Sequence, residues 1–254
     1  MRITLSRGTR DEPGTPNPEP RTANPESRTP NPESRTPNPD PRLPALTAIV
    51  DADSAARAGR RPIDLARAFL DGGARFLQVR AKNLPAGELL DLAAAIVEIA
   101  RGSSARVIVN DRADIARLAG ADGVHVGQED LAPAAARALV GPGAIVGLST
   151  HTIEQMERAV AEPVTYVAIG PVFGSTTKAT GYEAVGLEMV RAAAARASAR
   201  GLPLVAIGGI TLATAPSVLA AGAASVAVIG DLLGTGDPQA RTREYVRRLS
   251  MAHG

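Results

Sequence analysis

The sequence predicts an α/β fold, a (β/α)8 TIM barrel in a single domain. Two observations lead to this prediction: eight short apolar runs alternate with alanine-rich segments of helical period, and the region that holds them spans about 210 residues. That length is usual for the fold. A doubly wound open sheet is the alternative. It would more often carry a glycine-rich turn after its first strand, and "VDADSAARAG" lacks the G-x-G-x-x-G spacing.

The predicted elements follow one another in strict order. The strands are residues 46–50, 76–79, 107–109, 123–126, 144–146, 166–169, 204–207 and 225–229, and the clearest helices are residues 63–71, 88–101, 153–160, 187–200 and 238–249. The loops that follow the strands of such a barrel gather at one end. We therefore expect the residues after each strand to meet at a single mouth.

Residues 1–43 differ in character from the rest of the chain. The units RTANPES, RTPNPES and RTPNPDP repeat in tandem over residues 21–41. Proline in each unit argues against a coiled coil, and apolar side chains that could offset the entropy of ordering are almost lacking. We expect a disordered tail over 1–43 and a barrel domain over 44–254. A docking segment, a spacer, a tolerated repeat expansion and a misplaced start codon all stay open for the tail, whereas its regular acids argue against a transit peptide.

Composition narrows the class of protein further. The 254 residues have a formal net charge of +2 and no cysteine, which excludes disulfides, Cys-based zinc sites and thiol catalysis. The chain lacks a basic block with interleaved aromatic residues, the pattern that would predict nucleic-acid binding. No apolar run approaches the roughly 18 residues of a membrane span. We expect a cytoplasmic protein that binds neither nucleic acid nor membrane, and a homo-oligomer stays open.

Cationic side chains follow two of the predicted strands. The motif "QVRAK" after the second strand places Gln78, Arg80 and Lys82 on one side by alternation. The loop "GPVFGSTTKATGYEAVG" after the sixth strand carries Ser175, Thr176, Thr177 and Lys178. The three cations of these two segments can together hold a polyanion. Alternatively, Arg80 pairs with an acid of a neighbouring strand, and the hydroxyl-rich run is an ordinary solvated loop.

Acids follow the third and fourth strands. Asp111 comes after Asn110 in "VNDR", and Asp130 follows Gln128 in "GVHVGQED". Two carboxylates beside a polyanion need a cation between them, and a few hard oxygen ligands suit Mg²⁺ that bridges a diphosphate. The alternative for each aspartate is that it only caps the helix that follows it.

The remaining strand ends carry glycines, histidines and a serine. Gly208 and Gly209 follow the seventh strand, and Ile229 and Gly230 end the eighth. Bare glycines let backbone N–H groups approach a phosphate, although a plain turn would also use them. "GLSTH" after the fifth strand supplies Ser149 and His151, and the fourth strand contains His125; we expect supporting roles for both histidines. Two anion sites are thus predicted, one for a monophosphate and one for a magnesium diphosphate.

Seven motifs in order resemble the thiamine-phosphate synthase (thiamine phosphate pyrophosphorylase) family. They are "QVRAK", "VNDR", "GVHVGQED", "GLSTH", "GPVFGSTTK", "AIGGI" and "SVAVIG", and the resemblance extends over about residues 45–249. It implies a (β/α)8 barrel that joins 4-amino-2-methyl-5-hydroxymethylpyrimidine diphosphate to 4-methyl-5-(2-phosphooxyethyl)thiazole. The products are thiamine phosphate and pyrophosphate, formed through a pyrimidinyl-methyl cation without a general base.

The resemblance also implies roles for individual residues. Asp111 and Asp130 would carry Mg²⁺, and Arg80, Ser149 and Lys178 would act as catalytic contacts of the diphosphate. The pyrimidine diphosphate would be held by Gln78, Val79, Arg80, Ala81, Lys82, Asn110, Ser149 and Lys178. The thiazole phosphate would be held by Ser175, Thr176, Thr177, Gly208 or Gly209, Ile229 and Gly230.

The chain departs from the family pattern at a few positions. Val79 stands where the family often has Leu, Gly174 and Ser175 stand where it commonly has Pro-Thr, and Gly230 stands where it often has Ser. Two rival functions stay open. One is a thiazole tautomerase of the same barrel family, which would use His125 or His151 as its acid/base residue. The other is a non-catalytic, ligand-sensing barrel.

Overall fold

The computed structural model describes residues 43–174 and 183–251. Its strands form a closed barrel in which each strand pairs in parallel with the next and the eighth pairs with the first. The strands are β1 (Leu46–Asp51), β2 (Phe76–Arg80), β3 (Arg106–Asn110), β4 (Gly123–Val126), β5 (Ile145–Thr150), β6 (Tyr166–Ile169), β7 (Leu204–Ile207) and β8 (Ser225–Val228). This architecture confirms the predicted (β/α)8 barrel.

Helices follow every strand and cover the outside of the barrel. They are α1 (Ala52–Arg57), α2 (Pro62–Asp71), α3 (Ala86–Ala100), α4 (Ala113–Leu118), α5 (Pro133–Val140), α6 (Ile153–Ala159), α7 (Gly186–Ser198), α8 (Ala215–Ala220) and α9 (Pro238–Ser250), with a 3₁₀ turn at Gly230–Leu232. Within the described ranges, no helix is long and apolar enough to cross a membrane. The expected tail, apart from Leu43, lies outside these ranges, so its boundary and its disorder stay predictions.

Strand alternation divides the buried side chains into two groups. One group packs between the sheet and the helices. The other fills the barrel interior and includes Ile49, Phe76, Ile108 and Tyr166. Because successive side chains point to opposite faces, the inward positions nearest the carboxyl ends of the strands are also fixed. On β1 to β5 those positions are polar: Asp51, Gln78, Arg80, Asn110, His125 and Ser149; on β6 to β8 they are apolar, as at Ala168, Ile207 and Ala227.

The fifth strand is longer than the sequence pattern predicts. We expect residues 144–146 from the apolar run, whereas β5 extends to Thr150. Gly147 and Ser149 continue the ladder opposite Tyr166 and Ala168 of β6. Gly147 has no side chain because the Tyr166 ring lies where one would be, and Ser149 is polar and lines the cavity at the mouth. An apolar-run criterion therefore ends the strand too early.

Candidate active site

Two carboxylates from neighbouring strand ends meet at the mouth of the barrel. Asp111 directly follows β3, Asp130 lies in the loop after β4, and the two carboxyl groups interact directly. Lys82, which follows β2, places its Nζ 3.3 Å from Asp111 Oδ2. The expected juxtaposition of the two aspartates at one mouth is therefore present, with one of the expected cations beside it.

Asp111 has an unusual backbone conformation. Its φ of 66° is the one positive value at a non-glycine residue among the described residues. An aspartate tolerates this left-handed region better than most residues, although at some cost. The turn is held by the Asp111 N–H, which donates to the carbonyl oxygen of His125 on β4 over 2.7 Å. Strained backbone of this kind often lies at functional sites.

The capping alternative for both aspartates is wrong. Helix α4 has Arg112 as its N-cap, and helix α5 has Ala132; neither N-cap makes a side-chain capping hydrogen bond. Asp130 instead accepts a hydrogen bond from the N–H of Gly127 over 2.7 Å, within its own loop. The carboxylates are thus positioned by loop backbone and not by the helices that follow.

The chemistry of this pair fits a divalent cation. Burial raises the pKa of Asp111, the adjacent Asp130 carboxyl raises it further, and Lys82 opposes both effects. A carboxylate whose charge is disfavoured by burial and by a neighbouring carboxyl is stabilised by a bound cation. In the described residues, no group of three or more His, Asp and Glu side chains could hold a metal ion. A cation here would take its other ligands from water and substrate, as Mg²⁺ commonly does.

Arg80 forms an ion pair with an acid of a neighbouring strand, the arrangement that the sequence left open as an alternative to anion binding. Its Nη1 contacts Asp51 Oδ2 across β1 and β2, where the two residues lie opposite each other in register. Asp51 is also the N-cap of α1, where its carboxylate accepts hydrogen bonds from the backbone N–H and the hydroxyl of Ser54. The Nε of Arg80 is buried and has no hydrogen-bond partner among the described residues. The guanidinium is therefore held in place by Asp51 at the rim of the barrel.

The other residues of the "QVRAK" motif separate by face. Gln78 is buried and lines the barrel interior, and Lys82 is exposed at the mouth. Val79 and Ala81 are buried in the layer between sheet and helices. Their side chains cannot reach the mouth, so any contact they make with a substrate is made by the main chain. Asn110 is buried at the end of β3, opposite His125 in register.

A hydrogen-bonded chain crosses the upper interior of the barrel. His125 contacts the hydroxyl of Tyr166 through Nδ1 at 2.7 Å and the hydroxyl of Ser149 through Nε2 at 2.8 Å. Gln128 donates to the Ser149 carbonyl oxygen over 2.7 Å. Ser149 is thereby fixed at the mouth by both its side chain and its backbone. The supporting role expected for His125 agrees with these contacts.

A cavity of about 360 Å³ occupies the half of the mouth formed by β5 to β8. Ser149, His151, Gly208, Gly209, Ile229 and Gly230 are among the residues that line it. His151 Nδ1 lies 2.6 Å from the carbonyl oxygen of Gly170. The structure therefore brings all four expected residues of the seventh and eighth strand ends to one cavity.

Two glycines of this cavity are required by space as well as by conformation. Gly208 and Gly209 have φ values of 106° and 62°. A Cβ on Gly208 would lie 2.5 Å from the Cα of Pro171, and one on Gly209 would lie 2.5 Å from the carbonyl oxygen of Gly174. At both positions the backbone therefore packs directly against the loop after β6, where a side chain would not fit.

Part of the expected site cannot be placed. Ser175, Thr176, Thr177 and Lys178 lie outside the described residues. Conversely, the sequence patterns missed several residues that the structure brings to the mouth. Asp51 ends β1 and is detectable as an acid at a strand end, whereas the role of Tyr166 depends on its contact with His125 of another strand. No local signal marks that contact.

Comparison with known proteins places the chain among thiamine-phosphate synthases. A family profile described as "Thiamine monophosphate synthase" matches residues 46–232. The chain is 48% identical over 182 residues to a thiamine-phosphate synthase of Anaeromyxobacter dehalogenans, covering 72% of this chain and 80% of that protein. It is 45% identical over 194 residues to one of Methanoculleus marisnigri, covering 76% and 90%. A solved thiamine phosphate pyrophosphorylase from Pyrococcus furiosus superposes with a TM-score of 0.73 at 28% identity, covering 83% of this chain and 98% of that one.

Proposed function

Because this chain belongs to the thiamine monophosphate synthase family and is a transferase that makes thiamine phosphate, we propose that it does so by a dissociative, Mg²⁺-assisted route. The observation that supports the proposal best is the contact between Asp111 and Asp130 beside Lys82. Its small-molecule substrates are a pyrimidine and a thiazole. In our proposal they are the pyrimidine diphosphate and the thiazole phosphate that the sequence motifs imply.

The diphosphate half of the site is assigned to β2 to β5 and the loop that follows β6. Asp111 and Asp130 would hold Mg²⁺, and the bound ion would neutralise charge on the leaving diphosphate. Lys82 and Arg80 add positive charge at the same mouth, with Arg80 oriented by Asp51. Gln78, Asn110 and Ser149 supply neutral donors, the main chain of Val79 and Ala81 supplies further contacts, and Lys178 completes the cation set.

The reaction needs little proton transfer from the protein. The C–O bond to the diphosphate breaks first, the electron pair leaves with the diphosphate, and the pyrimidine amino group stabilises the resulting methyl cation. The thiazole nitrogen then attacks with its own lone pair and has no proton to lose. The protein's main contribution is electrostatic stabilisation of the leaving group and alignment of the two rings.

The thiazole half of the site is assigned to the cavity of β5 to β8. Backbone N–H groups at Gly208 or Gly209 and at Ile229 and Gly230 would receive the phosphate, together with Ser175, Thr176 and Thr177. The volume of about 360 Å³ suits a ligand of this size. The cavity adjoins Ser149, which lies between the two halves and lines this one. The thiazole nitrogen would attack the pyrimidine methyl cation beside Ser149, which joins the two rings.

A two-substrate assay tests the proposed function. The purified protein is incubated with both substrates and Mg²⁺, and pyrophosphate and thiamine phosphate are quantified, with a parallel sample in EDTA. We expect equal amounts of both products, and loss of both in EDTA. An altered thiazole without pyrophosphate would indicate the tautomerase instead. Binding of both compounds without any conversion would indicate a ligand-sensing barrel.

Other expectations from the sequence stay predictions. They are a cytoplasmic location, no nucleic-acid partner and, as an open question of assembly, a homo-oligomer. Size-exclusion chromatography with light scattering measures the last directly.

A further inference from the structure

A single carboxylate oxygen joins three segments behind the cavity of β5 to β8. Asp231 Oδ2 accepts hydrogen bonds from the backbone N–H of Leu212 at 3.0 Å and from the Tyr245 hydroxyl at 2.6 Å. It also accepts from Nε and Nη2 of Arg241 at 3.2 and 2.8 Å. Leu212 lies in the loop between β7 and α8, and the other two donors lie on α9. Asp231 therefore connects two loops, the one after β7 and its own after β8, to the last helix, α9.

The position of Asp231 makes this connection between the two loops relevant to phosphate binding. Asp231 directly follows Ile229 and Gly230, and it lines the same cavity. The loop that contains Leu212 begins at Gly208 and Gly209. The backbone positions proposed to receive the thiazole phosphate, at Gly208 or Gly209 and at Ile229 and Gly230, are thus on the two segments that one oxygen atom of Asp231 connects.

A negative charge at this place needs compensation. An unpaired carboxylate that lines an anion site would repel the anion. Arg241 supplies the compensation, and it is itself fixed by Glu244 at 3.0 Å and lies over the Tyr245 ring at 5.7 Å. Although burial lowers the pKa of Arg241, its hydrogen bonds to Glu244 and Asp231 raise it above its ordinary value. The guanidinium therefore stays charged near neutral pH.

We propose that Asp231 and Arg241 form a charge-balanced pair that sets the preference of the cavity for a phosphorylated thiazole over the corresponding alcohol. The Asp231 carboxylate fixes the spacing of the two loops, and Arg241 compensates the negative charge of that carboxylate. Both are positioning residues, since neither has to contact the substrate. The inference rests on the proposed function, because it assumes that the thiazole phosphate binds in this cavity.

A structural brace alone would behave differently. A loosened brace should weaken binding at least as much when Asp231 and Arg241 are both replaced as when Arg241 alone is replaced. An uncompensated charge on Asp231 penalises the ligand that carries a phosphate, and this penalty disappears once Asp231 is neutral. The ratio of the two affinities, compared between the single and double variants, therefore separates charge compensation from simple loss of structure.

The experiment measures that ratio in single and double variants. The KM for thiazole phosphate and the KM or competitive Ki for the thiazole alcohol are determined at saturating pyrimidine diphosphate and Mg²⁺. For Arg241→Gln, we expect the KM for the phosphate to rise about tenfold, as for loss of one charge-assisted interaction. The constant for the alcohol should change less than about twofold. In the double variant Arg241→Gln with Asp231→Asn, the carboxylate that lines the cavity is neutral and no longer needs Arg241, so most of the preference should return.

Controls keep the outcome unambiguous. Arg61→Gln makes the same chemical change in the exposed pair with Asp64, outside the cavity, and should leave the ratio unchanged. If Arg241→Gln does not fold, Tyr245→Phe removes one donor to Asp231 without a change of charge. It should raise the KM for the phosphate by less than Arg241→Gln does and spare the alcohol, because the Asp231 carboxylate loses one charge-assisted donor but keeps Arg241.

Equal changes for both thiazoles, or no recovery in the double variant, would overturn the inference while the proposed function stands. A wild-type chain that forms no thiamine phosphate would instead overturn the proposed function, and this inference with it.

Discussion

The carboxylate of Asp51 holds the guanidinium of Arg80 across the first two strands of the barrel. The side chains are 2% and 11% exposed, and they lie opposite each other in the parallel register. The same carboxylate caps α1 through Ser54. One acid therefore fixes both a helix start and a cation at the mouth, while Arg80 Nε has no partner among the described residues.

The first prediction concerns Asp51→Asn. Breaking one side of a buried ion pair leaves the other charge uncompensated, so we expect the free energy of unfolding to fall by about 3 kcal/mol. Urea denaturation followed by circular dichroism measures it. Asp64→Asn, which breaks an exposed pair with Arg61, should cost far less stability, because solvent screens that pair. Equal losses in both variants would mean that burial of the Arg80 pair has no energetic consequence.

The same pair predicts a pH dependence. Burial alone would raise the pKa of Asp51, but hydrogen bonds from Ser54 and Arg80 hold it below its ordinary value. A carboxyl with a lowered folded pKa contributes stability that is present above the unfolded value of about 3.9 and lost as the pH falls through the folded value. The difference in stability between wild type and Asp51→Asn should therefore be constant above about pH 5 and shrink below it. A difference that grows on acidification would contradict the assignment.

The barrel itself was predictable because its signals are local. Each strand appears as an apolar run, and each strand end appears as a change to polar residues, so Asp111 and Asp130 could be placed at neighbouring rims without a structure. The failures occurred where the local signal is shared by two explanations. A single aspartate before a helix looks the same whether it caps the helix or faces a mouth. Only the loop contact with Gly127 settles the matter for Asp130.

Contacts between distant segments lay beyond the sequence. Arg80 could be assigned to an anion or to an acid, and the register of β1 against β2 decides in favour of Asp51 as its partner. Tyr166 reads as an ordinary start of an apolar strand, yet its hydroxyl meets His125 across 41 residues of sequence. Such pairs depend on barrel register, which strand periodicity alone does not specify.

The second prediction tests the proposed metal site. Asp111→Asn and Asp130→Asn each remove one anionic oxygen ligand, and we expect turnover to fall on the order of 10²–10³. Each variant should also need a higher Mg²⁺ concentration for half-maximal rate. Steady-state kinetics at several Mg²⁺ concentrations separate the two effects.

Asp114→Asn is the matched control for these variants. Asp114 lies in the first turn of α4 and pairs with Arg112 on the surface. Its substitution should leave both turnover and Mg²⁺ dependence unchanged. Similar losses in all three variants would point to general destabilisation of this loop.

The third prediction concerns the chain from Tyr166 to Ser149. Tyr166→Phe leaves His125 Nδ1 without the hydroxyl that it contacts at 2.7 Å. The imidazole then loses one of the contacts that orient it, so the Ser149 hydroxyl on its other side is held less firmly. We expect kcat to fall about tenfold, the equivalent of about 1.4 kcal/mol, with little change in either KM. A rise in KM at unchanged kcat would show that Ser149 binds the substrate without help from this chain.

The fourth prediction is that Gly147 exists to make room for that chain. A Cβ at this position would overlap the Tyr166 ring and come 2.5 Å from His125 Nδ1. We expect Gly147→Ala to lower the free energy of unfolding by about 3 kcal/mol, since a packed interior cannot yield that far. Gly143→Ala, where a Cβ would meet nothing within 4 Å, is the control and should be nearly neutral. Thermal melts of both proteins under the same conditions decide the point.

The last prediction separates backbone conformation from close approach at the thiazole side. Gly209 and Gly59 have nearly equal φ values of 62° and 64°, so alanine is strained at both by roughly 1–2 kcal/mol. Only Gly209 has neighbours, with a Cβ placed 2.5 Å from the Gly174 carbonyl oxygen and 2.9 Å from Phe173 Cβ. Both alanine variants should lose similar stability from strain, but Gly209→Ala must also push two loops apart. We therefore expect the KM for thiazole phosphate to rise more than about tenfold in Gly209→Ala alone. A comparable rise in Gly59→Ala would mean that lost stability, and not the geometry of the phosphate loop, controls binding.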